Sequence, residues 1–117
     1  MAFGLKRGEL DAWKRAVARG EIAFITHYWH EPRFPGIRTV TKVGCRDIGK
    51  LIRWCEDRGL DPGYIHFRGD FPHFDLIGPR QLEILRKEQL WEHIRRFGLA
   101  AARGEPWESP ADRRRQG

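Results

Sequence analysis

Residues 21–31 read EIAFITHYWHE, and the predicted architecture is built outward from this segment. Its apolar and aromatic run is too continuous for an exposed strand, and its β-branched and aromatic side chains disfavour a helix. The pattern predicts a central strand that is buried on both faces. Polar side chains follow at its carboxyl end, where open α/β sheets bind ligands, so a functional site is expected there.

A helix is predicted on either side of this strand. Over residues 6–19, apolar side chains recur at helical spacing, and Gly20 favours a left-handed stop. Over residues 46–58, a second apolar stripe predicts the clearest helix of the chain. Gly59 followed by Leu60 is typical of a helix end of the Schellman type.

The remaining segments predict a small sheet and further helices. β-prone residues at 39–43, 64–68 and 73–77 predict short strands, and the last two form either a hairpin or two non-adjacent strands. A helix is expected from Gly78, with a break near residues 88–89, where its apolar stripe changes phase. The predicted fold class is α/β, with α+β as the alternative: a single small domain whose three- to four-stranded sheet is packed by three or four helices.

Length and composition indicate one soluble domain. Residues 1–99 are predicted to form the compact α/β domain, and residues 100–117 a disordered basic tail. The two cysteines give no disulfide framework, which is typical of a reducing cytosol. Because no apolar run approaches a membrane span and no signal-peptide pattern opens the chain, we expect a cytoplasmic protein without a membrane partner.

The charge balance is basic, with 22 Lys and Arg against 16 Asp and Glu and a net charge of +6. Such an excess favours nucleic acid or another phosphate-bearing ligand as the partner, although ordinary solubility charge is the alternative explanation. A basic loop leads into the predicted helix at 46–58, whose N-terminus would attract anions. The candidate anion- and nucleic-acid-binding residues are Arg33, Arg38, Lys42 and Arg46. Stacking faces for bases, if not part of the core, would come from Trp29, Phe34 and Trp54.

Ionisable residues on or beside the predicted strands form a second candidate site. His73 and Asp75 share one face of their strand because they lie two residues apart, and Asp75 requires a partner such as an arginine, a histidine or a metal if it is buried. The candidate catalytic residues are His27, His30, His73 and Asp75, with His66 on the neighbouring strand. These side chains would act as general acid and base, or would ligate a divalent metal. The alternative is that they are ordinary core or rim residues, since none of their spacings is a recognised ligand motif.

Two further patterns carry little weight. Residues 44–50, GCRDIGK, have the spacing of a phosphate-binding loop, but Leu51 stands where that loop needs a hydroxyl for Mg²⁺. Cys45 lies near a predicted helix N-terminus, but no histidine partner is placed beside it. Neither a P-loop nor a cysteine nucleophile is therefore expected.

Six short segments point to a family: MAFGLKR, GEIAFITHYW, RFPG, TVTKVGC, PHFDL and HIRRF. Through them, residues 1–99 resemble the YneQ-like small uncharacterised proteins of endospore-forming bacteria. The resemblance omits the basic tail. That family has no assigned activity, so the resemblance implies a small cytosolic bacterial protein and carries over no site residue.

Two functional hypotheses follow from the sequence. The first is a nucleic-acid binding module that contacts the phosphate backbone through the basic loop. The alternative is a hydrolase of the phosphoesterase or nuclease type that uses the histidine and aspartate cluster, with or without a divalent metal. An adaptor protein without a small ligand is a third reading, which would present an exposed apolar patch.

Overall fold

The computed structural model describes residues 4–67 and 69–99. In chain order its elements are α1 (Glu9–Ala18), β1 (Ala23–Tyr28), β2 (Thr39–Gly44), α2 (Ile48–Asp57), a 3₁₀ turn (Pro62–Tyr64), β3 (His73–Leu76), α3 (Gly78–Lys87) and α4 (Trp91–Arg96). The fold-class prediction is confirmed, because a three-stranded sheet is packed by four helices in one compact domain. The predicted tail at 100–117 lies outside the described residues.

All strand pairings in the described ranges are antiparallel, in the order β1-β2-β3. The segment at 21–31 therefore forms an edge strand, and the prediction that it is central is wrong. In this segment Ile25, Thr26 and His27 are buried on alternate faces, because helices cover both faces of the sheet and bury the middle of an edge strand too. The central strand is β2, which pairs with β1 on one side and with β3 on the other.

The prediction of a strand at 64–68 is also wrong. Asp61 instead caps a 3₁₀ turn at Pro62–Tyr64, where its Oδ1 accepts a hydrogen bond from the amide of Gly63 at 2.8 Å. After this turn the chain makes a single antiparallel bridge between His66 and His73, whose amides and carbonyls exchange hydrogen bonds of 2.8 and 3.0 Å. The hairpin alternative holds, with one residue pair formed among the residues that the structure describes.

The two faces of the sheet pack against different helices. On one face, Ile25 of β1 packs against Trp13 and Val17 of α1. On the other face, α2, β2, β3 and α3 form the largest apolar cluster, which includes Val43, Leu51, Trp54, Cys55, Phe74, Leu76 and Ile84. A third cluster joins α3 to α4 and the residues that follow them, through Leu82, Leu85, Ile94, Phe97 and Leu99.

A hydrogen-bonded chain of polar side chains lies between the sheet and the last two helices. Thr39 Oγ1 donates to Gln81 Oε1 at 3.0 Å, and Gln81 Nε2 donates to Thr41 Oγ1 at 3.0 Å. The hydroxyls of Thr41 and Thr26 lie 2.6 Å apart, and Thr26 Oγ1 lies 2.8 Å from His93 Nδ1. These bonds connect β1 and β2 to α3 through Gln81 and to α4 through His93.

Helix ends follow the predicted signals. Gly59 has a φ of 71°, and the amide of Leu60 donates to the carbonyl of Cys55 at 2.9 Å, as in a Schellman stop. The break predicted near residues 88–89 is present, with Gln89 at a φ of 59° between α3 and α4. Arg58 Nε donates to Glu88 Oε2 at 2.7 Å, which ties the end of α2 to this break.

In the part of the chain that the structure describes, no helix is both long and apolar enough to cross a bilayer.

Gly44 is expected to tolerate no side chain. A Cβ there would lie 2.5 Å from Trp13 Cζ2 and 2.8 Å from a Val17 methyl, so Gly44→Ala would force α1 away from the sheet and cost about 1–3 kcal/mol of unfolding free energy. Gly49→Ala is the matched control, because that Cβ would meet its nearest atom at 3.4 Å within α2 and should stabilise the helix by up to about 1 kcal/mol. Urea denaturation of both variants measures the difference, and equal midpoints would contradict the packing.

Candidate functional site

One face of the sheet carries a compact group of ionisable side chains. Ile25, Lys42 and Asp75 lie directly opposite one another on the three strands, so their side chains share the face toward α1. His73 lies two residues before Asp75 on the same face, and the isolated bridge brings His66 beside it. We call Lys42, His66, His73 and Asp75 the Asp75 cluster.

The Asp75 carboxylate is the centre of this cluster. Its Oδ1 accepts a hydrogen bond from Lys42 Nζ at 3.1 Å and lies 3.7 Å from His73 Nε2. Its Oδ2 lies 3.3 Å from His66 Nε2. The two imidazole rings stack, with centroids 5.2 Å apart and an interplanar angle of 25°. The expected partner of Asp75 is thus present as two imidazoles and an ammonium group.

Hydrogen bonding fixes the tautomer of His73. Its Nδ1 lies 2.9 Å from the carbonyl oxygen of Phe71, which only accepts, so Nδ1 carries the proton. The Nε2 of neutral His73 then presents a lone pair, 3.5 Å from Lys42 Nζ. Burial lowers the pKa of His73, and the Lys42 cation acts in the same direction while Asp75 opposes it. A neutral imidazole beside an ammonium group can accept a proton from a bound hydroxyl or water.

The Asp75 cluster is accessible from solvent and holds its own cation. The side chains of Lys42 and Asp75 are 30% and 31% exposed, which leaves room for a ligand at their polar ends. Among residues 4–67 and 69–99, no group of three or more histidine, cysteine, aspartate or glutamate side chains could hold a metal ion. The positive charge next to the carboxylate comes from Lys42 instead.

The other two predicted catalytic histidines lie away from the centre of the cluster. His27 shares the face of Lys42, two residue pairs farther along the strand, but it is only 5% exposed. Its Nδ1 donates to the carbonyl of Tyr28 at 2.8 Å, its buried Nε2 has no partner in the described ranges, and burial lowers its pKa. His30 lies beyond the end of β1 and is exposed. The structure therefore brings His73 and Asp75 together with His66 of the predicted histidine group, and joins to them Lys42, which was predicted as an anion-binding residue.

The four predicted anion-binding residues lie at separate places. Arg33 Nη2 pairs with Glu31 at 2.9 Å on the exposed loop between β1 and β2. Lys42 belongs to the Asp75 cluster. Arg38 precedes β2 and Arg46 follows it, and six strand residues between them span about 20 Å. No single phosphate group can contact all four side chains.

The anion-binding hypothesis also invoked a helix N-terminus and three aromatic rings, and each of these already has contacts within the protein. The Asp47 carboxylate caps α2, where its Oδ1 accepts a hydrogen bond from the amide of Lys50 at 3.1 Å. Trp29 and Phe34 stack on each other, with centroids 6.0 Å apart. Trp54 is buried in the core between α2 and the sheet.

A groove with basic and aromatic walls adjoins the Asp75 cluster. It encloses about 630 Å³ between the end of α1, the start of α2 and the turn before β3. Arg46, Phe67 and Phe71 line it, together with the carboxylate-bearing Asp70. Lys14 of α1 lies at its side, with Nζ 5.5 Å from the ring centroid of Phe71.

Contacts between rings connect this groove to the Asp75 cluster. The Phe71 ring lies 6.2 Å from that of Trp13, which in turn meets His73 edge-on at 6.4 Å. We call Lys14, Arg46, Phe67 and Phe71 the basic-aromatic surface. Sequence reasoning identified only Arg46 among them, although the position of the two phenylalanines on either side of a Gly-Asp turn was an available signal, because turns expose their side chains.

Acidification from about pH 7.5 to about pH 5.5 is expected to lower the free energy of unfolding. Burial lowers the pKa of His27, His73 and His93 in the folded protein, whereas histidines of the unfolded chain keep a pKa of about 6.5. The stability that these neutral histidines contribute is fully present above about pH 6.5. It falls as the pH decreases from there toward the pKa values of the folded state, because the unfolded chain takes up protons first. Urea denaturation at the two pH values measures the loss, and most carboxylates titrate below this window.

Single variants show which histidines cause the loss of unfolding free energy at low pH. His93→Gln should be less stable than the wild type near neutral pH, because it disrupts the hydrogen bond to Thr26, and its stability should depend less on pH. His73→Asn should also show a smaller pH dependence. A wild-type stability that is flat across this pH range would contradict the assignment.

The comparisons with known proteins agree with the resemblance read from the sequence. The chain is 57% identical over 99 residues to the uncharacterised protein YneQ of Bacillus subtilis strain 168, and the alignment covers 85% of this chain and 100% of that protein. No family model matches the sequence. No solved structure matches it either. At this identity and coverage, the chain belongs to the family of YneQ.

Proposed function

We propose that this chain binds single-stranded nucleic acid through the basic-aromatic surface. Lys14 and Arg46 would contact backbone phosphates, and Phe67 and Phe71 would stack on bases. The observation that supports this is the combination of cations without an ion pair and two phenylalanine rings, of which Phe67 is exposed and Phe71 is half-buried. Neither Lys14 nor Arg46 has a carboxylate within ion-pairing distance among the described residues, whereas eight other cations of the domain do.

The exposure of the aromatic rings favours single strands over duplexes. Phe67 is 58% exposed, and Tyr64 on the preceding 3₁₀ turn is 71% exposed. An unstacked base can lie on such a ring, whereas the bases of a duplex are stacked on one another. Stacking of this kind contributes about 1–3 kcal/mol per base and does not depend strongly on sequence.

The charge of the protein supports the same partner. The net charge of +6 attracts a polyanion at long range, while Arg46 lines the groove and Lys14 lies beside it, next to Phe71. Asp70 on the groove wall would repel phosphates, which places the backbone path on the side of Lys14 and Arg46. A cytoplasmic location belongs to this proposal, and the two buried free cysteines fit a reducing compartment.

Binding is expected to weaken with salt in proportion to the phosphates that are neutralised. For a fluorescein-labelled oligo(dT) strand measured by anisotropy, two phosphate contacts predict a log-log slope near −1.4, about −0.7 for each contact. Lys14→Gln and Arg46→Gln should each reduce the slope by about 0.7. Phe67→Ala should weaken binding by about 1–3 kcal/mol without changing the slope, because stacking releases no counterions.

Arg95→Gln is the matched control for these variants. It also removes one exposed positive charge, but from α4 on the opposite face of the sheet. Its affinity and salt slope should equal those of the wild type. Equal losses for Arg95→Gln and Arg46→Gln would show that net charge alone attracts the strand, and absence of binding at low salt would refute the proposal.

Phosphoester cleavage is a second candidate function, which the geometry of the Asp75 cluster favours. Neutral His73 presents Nε2 as a general base, and Lys42 lies 3.5 Å away, where it would stabilise a negatively charged phosphate. His66 is positioned by Asp75 to donate a proton to the leaving oxygen. In RNA the 2′-hydroxyl is a nucleophile within the substrate, so this reaction requires no metal.

Cleavage of a fluorophore-quencher RNA strand tests this second function. Wild-type protein should cleave RNA but not the matching DNA strand, and His73→Asn should lower the rate by about 10²–10⁴-fold. Asp75→Asn should also abolish turnover while leaving the fold nearly intact, because the side chain is partly exposed and nearly isosteric. Activity that persists in both variants would exclude the cluster as its source.

A further inference from the structure

We propose that a second site, on the opposite face of the sheet, binds a small aromatic or aliphatic carboxylate. A cavity of about 760 Å³ opens between the β1-β2 loop, the start of α3 and the residues after α4. This volume lies within the range of small-molecule sites. The cavity is separate from the groove, since Arg38 and Arg46 lie beyond opposite ends of β2.

The inner end of this cavity is polar and buried. Thr39 and Gln81 line it and are 6% and 4% exposed. Gln81 Nε2 donates one hydrogen to Thr41, and its second hydrogen has no acceptor among the described residues. Thr39 Oγ1 donates to Gln81 and still has lone pairs to accept a hydrogen bond. A ligand oxygen that reaches this end would therefore find an oriented donor.

The walls combine a cation with apolar surface. Arg38 has no carboxylate within ion-pairing distance in the described part of the chain, and it lies next to Thr39. Tyr28 and Phe97 meet edge-to-face with centroids 5.0 Å apart and form an aromatic wall. Leu82 completes the apolar side.

These walls determine the class of ligand. A guanidinium group and an amide N–H favour a carboxylate, which Arg38 can hold with two parallel hydrogen bonds. The aromatic wall favours a flat or branched apolar body attached to it. Gly78 on the same wall starts α3, which has no side-chain cap, so the partial positive charge of that helix end adds to the preference for an anion.

Protein NMR with three matched probes tests this site in the full-length chain. The probes are 2-naphthoate, the neutral 2-naphthylmethanol and acetate, each titrated to about 5 mM, where a weak ligand still binds measurably. We expect 2-naphthoate to shift the amide of Gly78 and the side-chain NH₂ of Gln81. It should bind at least ~10-fold more tightly than either other probe, since only it supplies both the charge and the apolar body.

Variants of Arg38 separate this site from the groove. Arg38→Gln should weaken 2-naphthoate binding by about 10-fold, Arg38→Lys should keep part of it, and Arg95→Gln should have no effect. Because Arg38 is exposed, its replacement should leave the fold intact, and the amide spectrum of each variant checks this. Affinity of Arg38→Gln for oligo(dT) should equal that of the wild type, so either proposal can fail alone.

Three outcomes would overturn the site. The first is no shift at Gly78 or Gln81. The second is equal affinity for the acid and the alcohol. The third is unchanged affinity for 2-naphthoate in Arg38→Gln.

Discussion

The hydrogen bond between the hydroxyls of Thr26 and Thr41, 2.6 Å long, is the contact on which the arrangement of the last two helices depends. Thr41 also accepts an N–H from Gln81, and either hydroxyl can donate in its bond with Thr26. Thr26 Oγ1 in turn lies 2.8 Å from His93 Nδ1, so the polar chain is continuous from α3 to α4. Burial lowers the pKa of His93, which favours the neutral imidazole at this position. Because a buried hydroxyl without a partner is costly, the chain fixes both helices on the sheet more specifically than apolar contacts would.

Alternation along β2 separates the two proposed sites. Thr39, Thr41 and Val43 face the helices α2 to α4, whereas Val40 and Lys42 face α1. One strand thus supplies the inner end of the cavity on one face and the cation of the Asp75 cluster on the other. Since β2 is paired on both sides, its backbone is held in place and the two sites keep their separation.

Sequence patterns predicted the features that depend on neighbouring residues along the chain. They failed for the features that depend on which strands pair in the sheet. The helices, the stop at Gly59 and the break near Gln89 follow from local spacing. The strand within 21–31 and the burial of Ile25, Thr26 and His27 were also predicted, but hydrophobicity cannot tell an edge strand from a central one when helices cover both faces. Arg38 and Arg46 look close in the sequence, yet an extended strand separates them because it rises about 3.3 Å per residue. The cost of burying Asp75 correctly implied a partner, and the turn-like residues 69–72 left the hairpin that brings in His66 open as one of two alternatives.

Protonation and phosphate binding are linked at the Asp75 cluster. The pKa of His73 is lowered by burial and by Lys42, so a second positive charge there is unfavourable in the free protein. A phosphate beside Lys42 would supply the negative charge that offsets it and would raise the pKa of His73. By linkage, a ligand that raises this pKa binds more tightly as the pH falls, while the stability of the domain itself decreases over the same range. Protonation of His73 therefore destabilises the free protein, yet the protonated protein is the form that would hold a nucleic-acid phosphate at Lys42 most strongly.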